Sequence, residues 1–200
     1  MSLDFLSGVS AASAYEANAK RGAAGPGIRA MVENLEPVCG RAYTVRCWPG
    51  DAKGLWQALA VAPTGSIVVA DMGGAAEITA LGSGTAKAAL ARGIAGLVVN
   101  AAVRDIRELR RLKLPIFAMG ISVRGTHKCH DGQTEVAISI GLALCETGNI
   151  VVADDDGVVV VSAAEEAAFR QRLPGQLAKE AEIDRRLAEG ESPDSVLGLR

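Results

Sequence analysis

Aromatic residues make up only 4% of the 200-residue chain, and histidine occurs twice, at His127 and His130. So little aromatic surface leaves scant material for stacking bases. Twenty-three acidic against 21 basic side chains, a net charge of −2, provide no basic excess to grip a phosphate backbone, so direct nucleic-acid binding is disfavoured. No apolar run approaches the ~20 residues a membrane helix needs, and Met1-Ser2-Leu3-Asp4 opens nothing resembling a signal peptide. The expectation is a cytoplasmic protein with no membrane partner. The four cysteines, Cys39, Cys47, Cys129 and Cys145, are scattered rather than closely paired, which points to free thiols and not to a disulfide framework.

What is present suits one well-packed domain over residues 1–200: 49% hydrophobic and 22% charged side chains. Strand and helix signals alternate. An alanine-rich segment predicts a first helix over residues 3–20, ended by Gly22-Ala23-Ala24-Gly25-Pro26-Gly27 and followed by a loop. Val/Ile-rich runs predict strands at 40–47, 66–70, 96–100, 116–119 and 150–161, with a hairpin turn at Asp154-Asp155-Asp156-Gly157 interrupting the last. Helices fit 53–60, 85–92 and 106–112. A charged helical tail covers about 163–200, broken at Pro174-Gly175. The alternation argues for an α/β fold whose sheet is covered on both faces.

The chemistry concentrates at Arg104-Asp105, where the apolar strand Gly96-Leu97-Val98-Val99 delivers two opposite charges at its end. A guanidinium can grip a carboxylate through two hydrogen bonds, and a neighbouring aspartate can hold a hard divalent cation, so the pair could clamp a 2-oxo acid. The alternative is an ordinary surface ion pair. Just upstream, Gly82-Ser83-Gly84-Thr85 opens an alanine-rich helix that feeds into this strand. The first-turn N–H groups and positive dipole end suit a carboxylate or enolate oxygen, although the same glycines also serve a tight turn. Lys87 lies on that helix and could be read as an imine-forming residue, but a lysine there is ordinarily solvated. His127-Lys128-Cys129-His130 invites a zinc reading against that of a polar loop; no second ligand pair accompanies it. Asp154-Asp155-Asp156 lacks the alternating ligands of a calcium loop and reads as a turn.

In order and spacing, Thr44-Val45-Arg46-Cys47, Pro49-Gly50-Asp51, Ala91-Arg92-Gly93, Val103-Arg104-Asp105-Ile106-Arg107-Glu108, Leu114-Pro115-Ile116-Phe117-Ala118, Ser122-Val123-Arg124-Gly125-Thr126 and Gly148-Asn149-Ile150-Val151 resemble the class II pyruvate aldolases. These cleave 4-hydroxy-4-methyl-2-oxoglutarate and 4-carboxy-4-hydroxy-2-oxoadipate, and the family also contains the regulator of ribonuclease E activity, protein A. The resemblance implies a swivelling β/β/α domain with N- and C-terminal helices, assembled as trimers or hexamers with each site in a cleft between subunits. It implies Asp105 as the ligand of Mg²⁺ or Mn²⁺. Arg104 would bind the pyruvyl group and stabilise its enolate, and the turn at Gly82, Ser83, Gly84 and Thr85 would receive substrate, its carboxylate on the Gly84 and Thr85 N–H groups. Glu108 completes an Arg-Asp-x-x-Glu/Asp pattern that accompanies aldolase activity. Glu180, on the tail helix, matches an acidic residue that reaches a neighbour's metal water shell. The chain departs from the family pattern at Ser83, where an acidic residue is usual, at Gly84-Thr85 for two leucines, and at Asn100-Ala101 for Asp-Gly. Two functions follow: a metal-dependent lyase releasing pyruvate from a 4-hydroxy-2-oxo diacid, with oxaloacetate decarboxylation through the same enolate, and a non-catalytic regulator of an RNA-processing ribonuclease.

Overall fold

A computed structural model describes residues 2–33 and 36–199; Asn34 and Leu35, in the loop expected after residue 27, lie outside the described residues, as do Met1 and Arg200. In chain order the helices are α1 (Ala11–Ala17), α2 (Lys53–Val61), α3 (Ser83–Ala91), α4 (Ile106–Leu112), α5 (Glu166–Ala188) and α6 (Pro193–Leu197). The strands are β1 (Arg29–Ala30), β2 (Val38–Arg46), β3 (Ile67–Asp71), β4 (Thr79–Leu81), β5 (Gly96–Val99), β6 (Ala102–Val103), β7 (Ile116–Ala118) and β8 (Gly120–Ile121), then β9 (Gln133–Thr134), β10 (Ile138–Ile140), β11 (Ala143–Cys145), β12 (Ile150–Asp154) and β13 (Gly157–Val161).

The main sheet runs β1-β7-β5-β3-β2-β12-β13, with β9 also on β2. Its centre, β7-β5-β3-β2, is parallel, and α2, α3 and α4 lie in the crossovers. Alternate side chains of the same strands serve two cores. Val68, Ala70, Leu97 and Val99 pack with Leu55, Leu59, Ala86 and Leu109 of the helices. Ile67, Val69, Val98 and Phe117 face the opposite way, toward Val151, Val158 and the β10-β11 hairpin. The sheet curls until its edges nearly meet. Residues 22–30 bridge them: Val160 N–H donates to Gly22 O and Ala24 N–H to Val158 O at one edge, while β1 pairs with β7 at the other. The expected α/β fold with helices at both ends is therefore present, as a nearly closed sheet.

The N-terminal helix is shorter than residues 3–20. A single 3-10 turn, Asp4–Leu6, stops where Gly8 takes φ +72°, and α1 begins only after Ser10, whose side chain accepts from Ser13 N–H. The expected turn at residues 154–157 is a two-residue hairpin, with Asp154 opposite Gly157 and the Asp154 carboxylate accepting from Ala11 N–H at 2.7 Å. The break expected at Pro174-Gly175 does not occur; α5 runs through it. The missing proline N–H costs one intrahelical bond. Against that, Phe169 and Leu173 bury themselves in a third core with Leu6, Ile150 and Val161, and Arg185 with Glu182 and Glu189 supports the later turns.

Among the described residues no helix is long and apolar enough to cross a membrane.

Candidate functional site

The parallel strands end at Arg46, Asp71, Val99 and Ala118, and the segments that follow these ends, loops and the first turns of α3 and α4, carry every candidate residue except Glu180. After β5 the chain buries Asn100 and Ala101 and adds β6 to a small parallel sheet of order β4-β6-β8. Those two- and three-residue strands aim the site. Arg104 N–H donates to Leu81 O at 3.1 Å, so the residue before the Gly82 turn is fixed to the residue that carries the guanidinium.

Asp105 caps α4 with its main chain: its carbonyl accepts from Glu108 and Leu109 N–H. To leave the side chain free for other use, it adopts φ +60°, ψ 34°, a left-handed conformation costing a non-glycine residue on the order of 1 kcal/mol. Its Oδ2 turns to the start of α3 and accepts from Ser83 N–H at 2.9 Å and Ser83 Oγ at 3.0 Å. Those two bonds, helped by Arg104 and Lys87 nearby, hold the Asp105 carboxyl below the usual carboxylate range. Gly82 permits this approach, because a Cβ there would lie 2.6 Å from Asp105 Oδ2 and 3.1 Å from Arg104 Cγ. On the far side, a Cβ on Gly125 would meet Arg104 Nη1 at 3.3 Å.

The guanidinium of Arg104 thus lies between two glycines, exposed, and among the described residues it has no side-chain hydrogen-bond or ion-pair partner. It does not form an ordinary surface ion pair with Asp105. Thr85 is buried and Gly84 exposed in the first turn of α3, where N–H groups have no intrahelical acceptor. The structure therefore brings Gly82, Ser83, Gly84, Thr85, Arg104 and Asp105 together. Glu108 joins them less directly: its carboxylate is shared by Lys87 at 3.2 Å and Arg111 at 3.7 Å, beside a concavity of about 400 Å³ lined also by Asp105, Ile106 and Arg107. Lys87 is accordingly an exposed partner of Glu108. Glu180 is elsewhere in this chain, accepting from Ser13 Oγ of α1 at 2.6 Å and from Gln176.

Asn100 is explained by its surroundings. Its Oδ1 accepts from Met72 N–H, and its Nδ2 donates to Asp71 Oδ1 at 2.7 Å and Ser139 O at 3.3 Å. An aspartate there would set a second carboxylate against Asp71. Sequence reasoning missed another aspartate, Asp51, 3% exposed, which accepts from the N–H groups of Lys53, Cys129 and His130 and from His130 Nδ1. The Pro49-Gly50-Asp51 turn before α2 was its only signal. The His127–His130 segment is thus a polar loop; among the described residues no group of three or more His, Cys, Asp and Glu could hold a metal ion. All four cysteines are free, and burial pushes the thiols of Cys47 and Cys145 up to about 12, which removes them as nucleophiles at neutral pH.

Comparison with known proteins bears on the family and the fold. A family profile described as RraA-like, Aldolase/RraA, matches residues 10–160. A protein of Halalkalibacterium halodurans bearing the provisional name 4-hydroxy-4-methyl-2-oxoglutarate aldolase is 32% identical over 173 residues, covering 86% of this chain and 80% of its own. Among solved structures, an uncharacterized protein from Pseudomonas syringae pv. tomato superposes with a TM-score of 0.83 at 25% identity, covering 99% of this chain and 93% of its own. The RNA-processing inhibitor RraA from Thermus thermophilus gives 0.62 at 26% identity, covering 68% and 81%. The chain belongs to the RraA-like Aldolase/RraA family.

Proposed function

We propose that the chain is a divalent-metal-dependent lyase that cleaves a 4-hydroxy-2-oxo diacid by a retro-aldol reaction to pyruvate and a second oxo acid, and that the same site decarboxylates oxaloacetate. The observation that carries this reading is the unpartnered Arg104 guanidinium beside Asp105, facing the first turn of α3. In the cleavage the bond between C3 and C4 breaks as the C4 hydroxyl passes its proton to water, and the bonding electrons pass into the enolate of pyruvate, which a proton from water then converts to pyruvate at C3. In decarboxylation the same electrons come from the bond to the departing carboxylate. Arg104 supplies fixed positive charge where the enolate oxygen develops, and the N–H groups of Gly84 and Thr85 receive the substrate carboxylate.

The donor set suits Mg²⁺ or Mn²⁺. Oδ2 of Asp105 is occupied by Ser83, while among the described residues Oδ1 has no hydrogen-bond partner, leaving one hard oxygen available to a cation. A single carboxylate, completed by waters and substrate oxygens, is a usual way of holding Mg²⁺. A cation there would act as a Lewis acid on the keto oxygen. Ser83, standing where relatives of this pattern carry an acid, fixes Asp105 without adding charge. Glu108 would act through its grip on Lys87 and Arg111.

We further propose that the chain works as a homo-oligomer, trimer or hexamer. In support, the apolar side chains of Ile121, Val123, Leu142 and Leu144 stand 59%, 87%, 85% and 65% exposed, surface that a neighbouring subunit would cover. Glu180 could then reach a neighbour's site only by leaving Ser13. Light scattering during size-exclusion chromatography measures the assembly.

The second reading, a non-catalytic regulator of an RNA-processing ribonuclease, draws on the likeness to the Thermus thermophilus inhibitor. A coupled pyruvate assay separates the two. The lyase reading expects pyruvate from a 4-hydroxy-2-oxo diacid or oxaloacetate with added Mg²⁺, abolished by a chelator. No product from any such acid, together with tight binding to a ribonuclease, would establish the regulator instead.

A further inference from the structure

One loop, residues 119–132, runs from the Arg104 site to Asp51. Its first half forms a wall of the site. Met119 N–H donates to Ala101 O, β8 pairs with β6, Ser122 N–H donates to Val103 O at 2.9 Å, and Arg124 O accepts from Thr79 N–H at 2.8 Å. This brings Gly125 against Arg104 Nη1. The second half is fastened to the turn between β2 and α2. Gly50 O accepts from His127 N–H at 2.9 Å and Thr126 Oγ1 at 2.7 Å, and Ala52 N–H donates to His127 O at 2.9 Å. Asp51 Oδ2 alone accepts three bonds, from Cys129 N–H at 2.7 Å, His130 N–H at 3.0 Å and His130 Nδ1 at 3.1 Å.

Residues 123–125 and 127–131 are exposed, so little apolar burial holds this loop in place. Its polar attachments do that work, and Asp51 is their hub. Burying a carboxylate costs free energy that an apolar residue would not. Burial by itself would raise the Asp51 carboxyl, yet the N–H groups of Lys53, Cys129 and His130 and the His130 ring hold it well below its ordinary range. The carboxylate is thus kept ionised in a place where three of its four bonds serve one loop and the fourth holds the start of α2.

We propose that Asp51 is a positioning residue for the Arg104 site: by fastening residues 127–130 it sets the wall at Gly125 that confines the Arg104 guanidinium. The inference rests on reading Arg104 as the 2-oxo acid site. Without the fastening, the wall would retreat and Arg104 would sample more rotamers, which weakens substrate capture more than it slows the chemical step.

The test compares Asp51→Ala, which removes every acceptor, with Asp51→Asn, which keeps one carbonyl oxygen for the backbone donors, and with His130→Ala, which removes the ring bond alone. All three are made in a Trp56→Phe background, so that Trp48, whose ring lies 5.6 Å from His130, is the single fluorescent reporter of loop attachment. Amide exchange is followed over residues 122–130, and oxaloacetate kinetics are measured with Mg²⁺. The expected result for Asp51→Ala is at least tenfold faster exchange extending to 122–125, altered Trp48 emission, and KM raised about tenfold with kcat within about threefold, all partly restored in Asp51→Asn. If Asp51→Ala does not fold, the Asp51→Asn and His130→Ala proteins carry the comparison, with His130→Ala giving the smaller change. Exchange accelerated only at 127–130, with 122–125 and KM unchanged, would overturn the proposal. Absence of pyruvate release from the parent protein would count against the lyase reading alone; the spread of exchange from 127–130 to 122–125 would then decide this inference.

Discussion

Asp51 follows β2 and Asp105 follows β5 and β6, with β3 lying between β2 and β5 in the parallel sheet, and both accept main-chain N–H groups that hold their carboxyls below the ordinary range, yet they end in opposite conditions. Asp51 is 3% exposed with both carboxylate oxygens bonded inside the protein. Asp105 is exposed, is held through Oδ2 alone, and stands in a left-handed backbone conformation beside a guanidinium that no side chain among the described residues hydrogen-bonds. The first arrangement is saturated and acts only through the segments it fastens. The second is half-filled and strained, which is how a protein keeps a binding group ready at a structural cost. Identity as aspartate says nothing about role; the count of unfilled acceptors does.

The largest expected effect comes from emptying the half-filled site. Asp105→Asn should lower pyruvate release to background while leaving Tm nearly unchanged, since the amide keeps an oxygen for Ser83; retained activity would show that Asp105 is not the metal's anchor. Arg104→Gln comes next, with a loss of about 10²–10³-fold in kcat/KM, the usual cost of one preorganised donor at a developing oxyanion. Steady-state kinetics with oxaloacetate checks it. Ser83→Ala removes the hydroxyl bond to Asp105 but not the N–H bond, so metal affinity by Mn²⁺ titration should weaken roughly 10–100-fold, as outer-shell substitutions do.

The smallest effect belongs to a saturated cluster far from this chemistry. Glu166 accepts from Arg41 at 2.6 and 2.9 Å and from Arg170 at 2.8 Å, and the Arg41 bond foremost, with Arg170, holds its carboxyl down to about 2 from an ordinary 4.5. Because the folded value is the lower one, this stabilisation is complete above pH 4.5 and is lost as pH falls toward 2. Glu166→Gln should cost roughly 2 kcal/mol at neutral pH, or about 4–8 °C in Tm, with no change in pyruvate release. The deficit relative to the parent should shrink in acid.

How much of this was readable beforehand follows from the same contrast. The pairing of two charges at the end of Gly96-Leu97-Val98-Val99 is local in sequence, so Arg104 and Asp105 stood out, as did the parallel core with its Val/Ile runs. The β4-β6-β8 sheet that aims them did not, because strands of two or three residues contain no periodicity to detect. Asp51 and His130 are 79 residues apart, and only the folded loop brings them together. Pro174 carries the strongest helix-breaking signal in the tail, but packing of Phe169 and Leu173 overrides it. Ser83 looked like a missing charge; in the fold it is the clamp on Asp105.

The most direct test of the half-filled site is a crystal structure with Mn²⁺ and oxalate, a planar mimic of the pyruvate enolate, read by the anomalous signal of manganese. The account predicts one manganese on Asp105 Oδ1, with an oxalate carboxylate on the Gly84 and Thr85 N–H groups and Arg104 Nη against the opposite oxygens. Manganese bound away from Asp105, or oxalate that leaves Arg104 and the α3 N-terminus untouched, would contradict it.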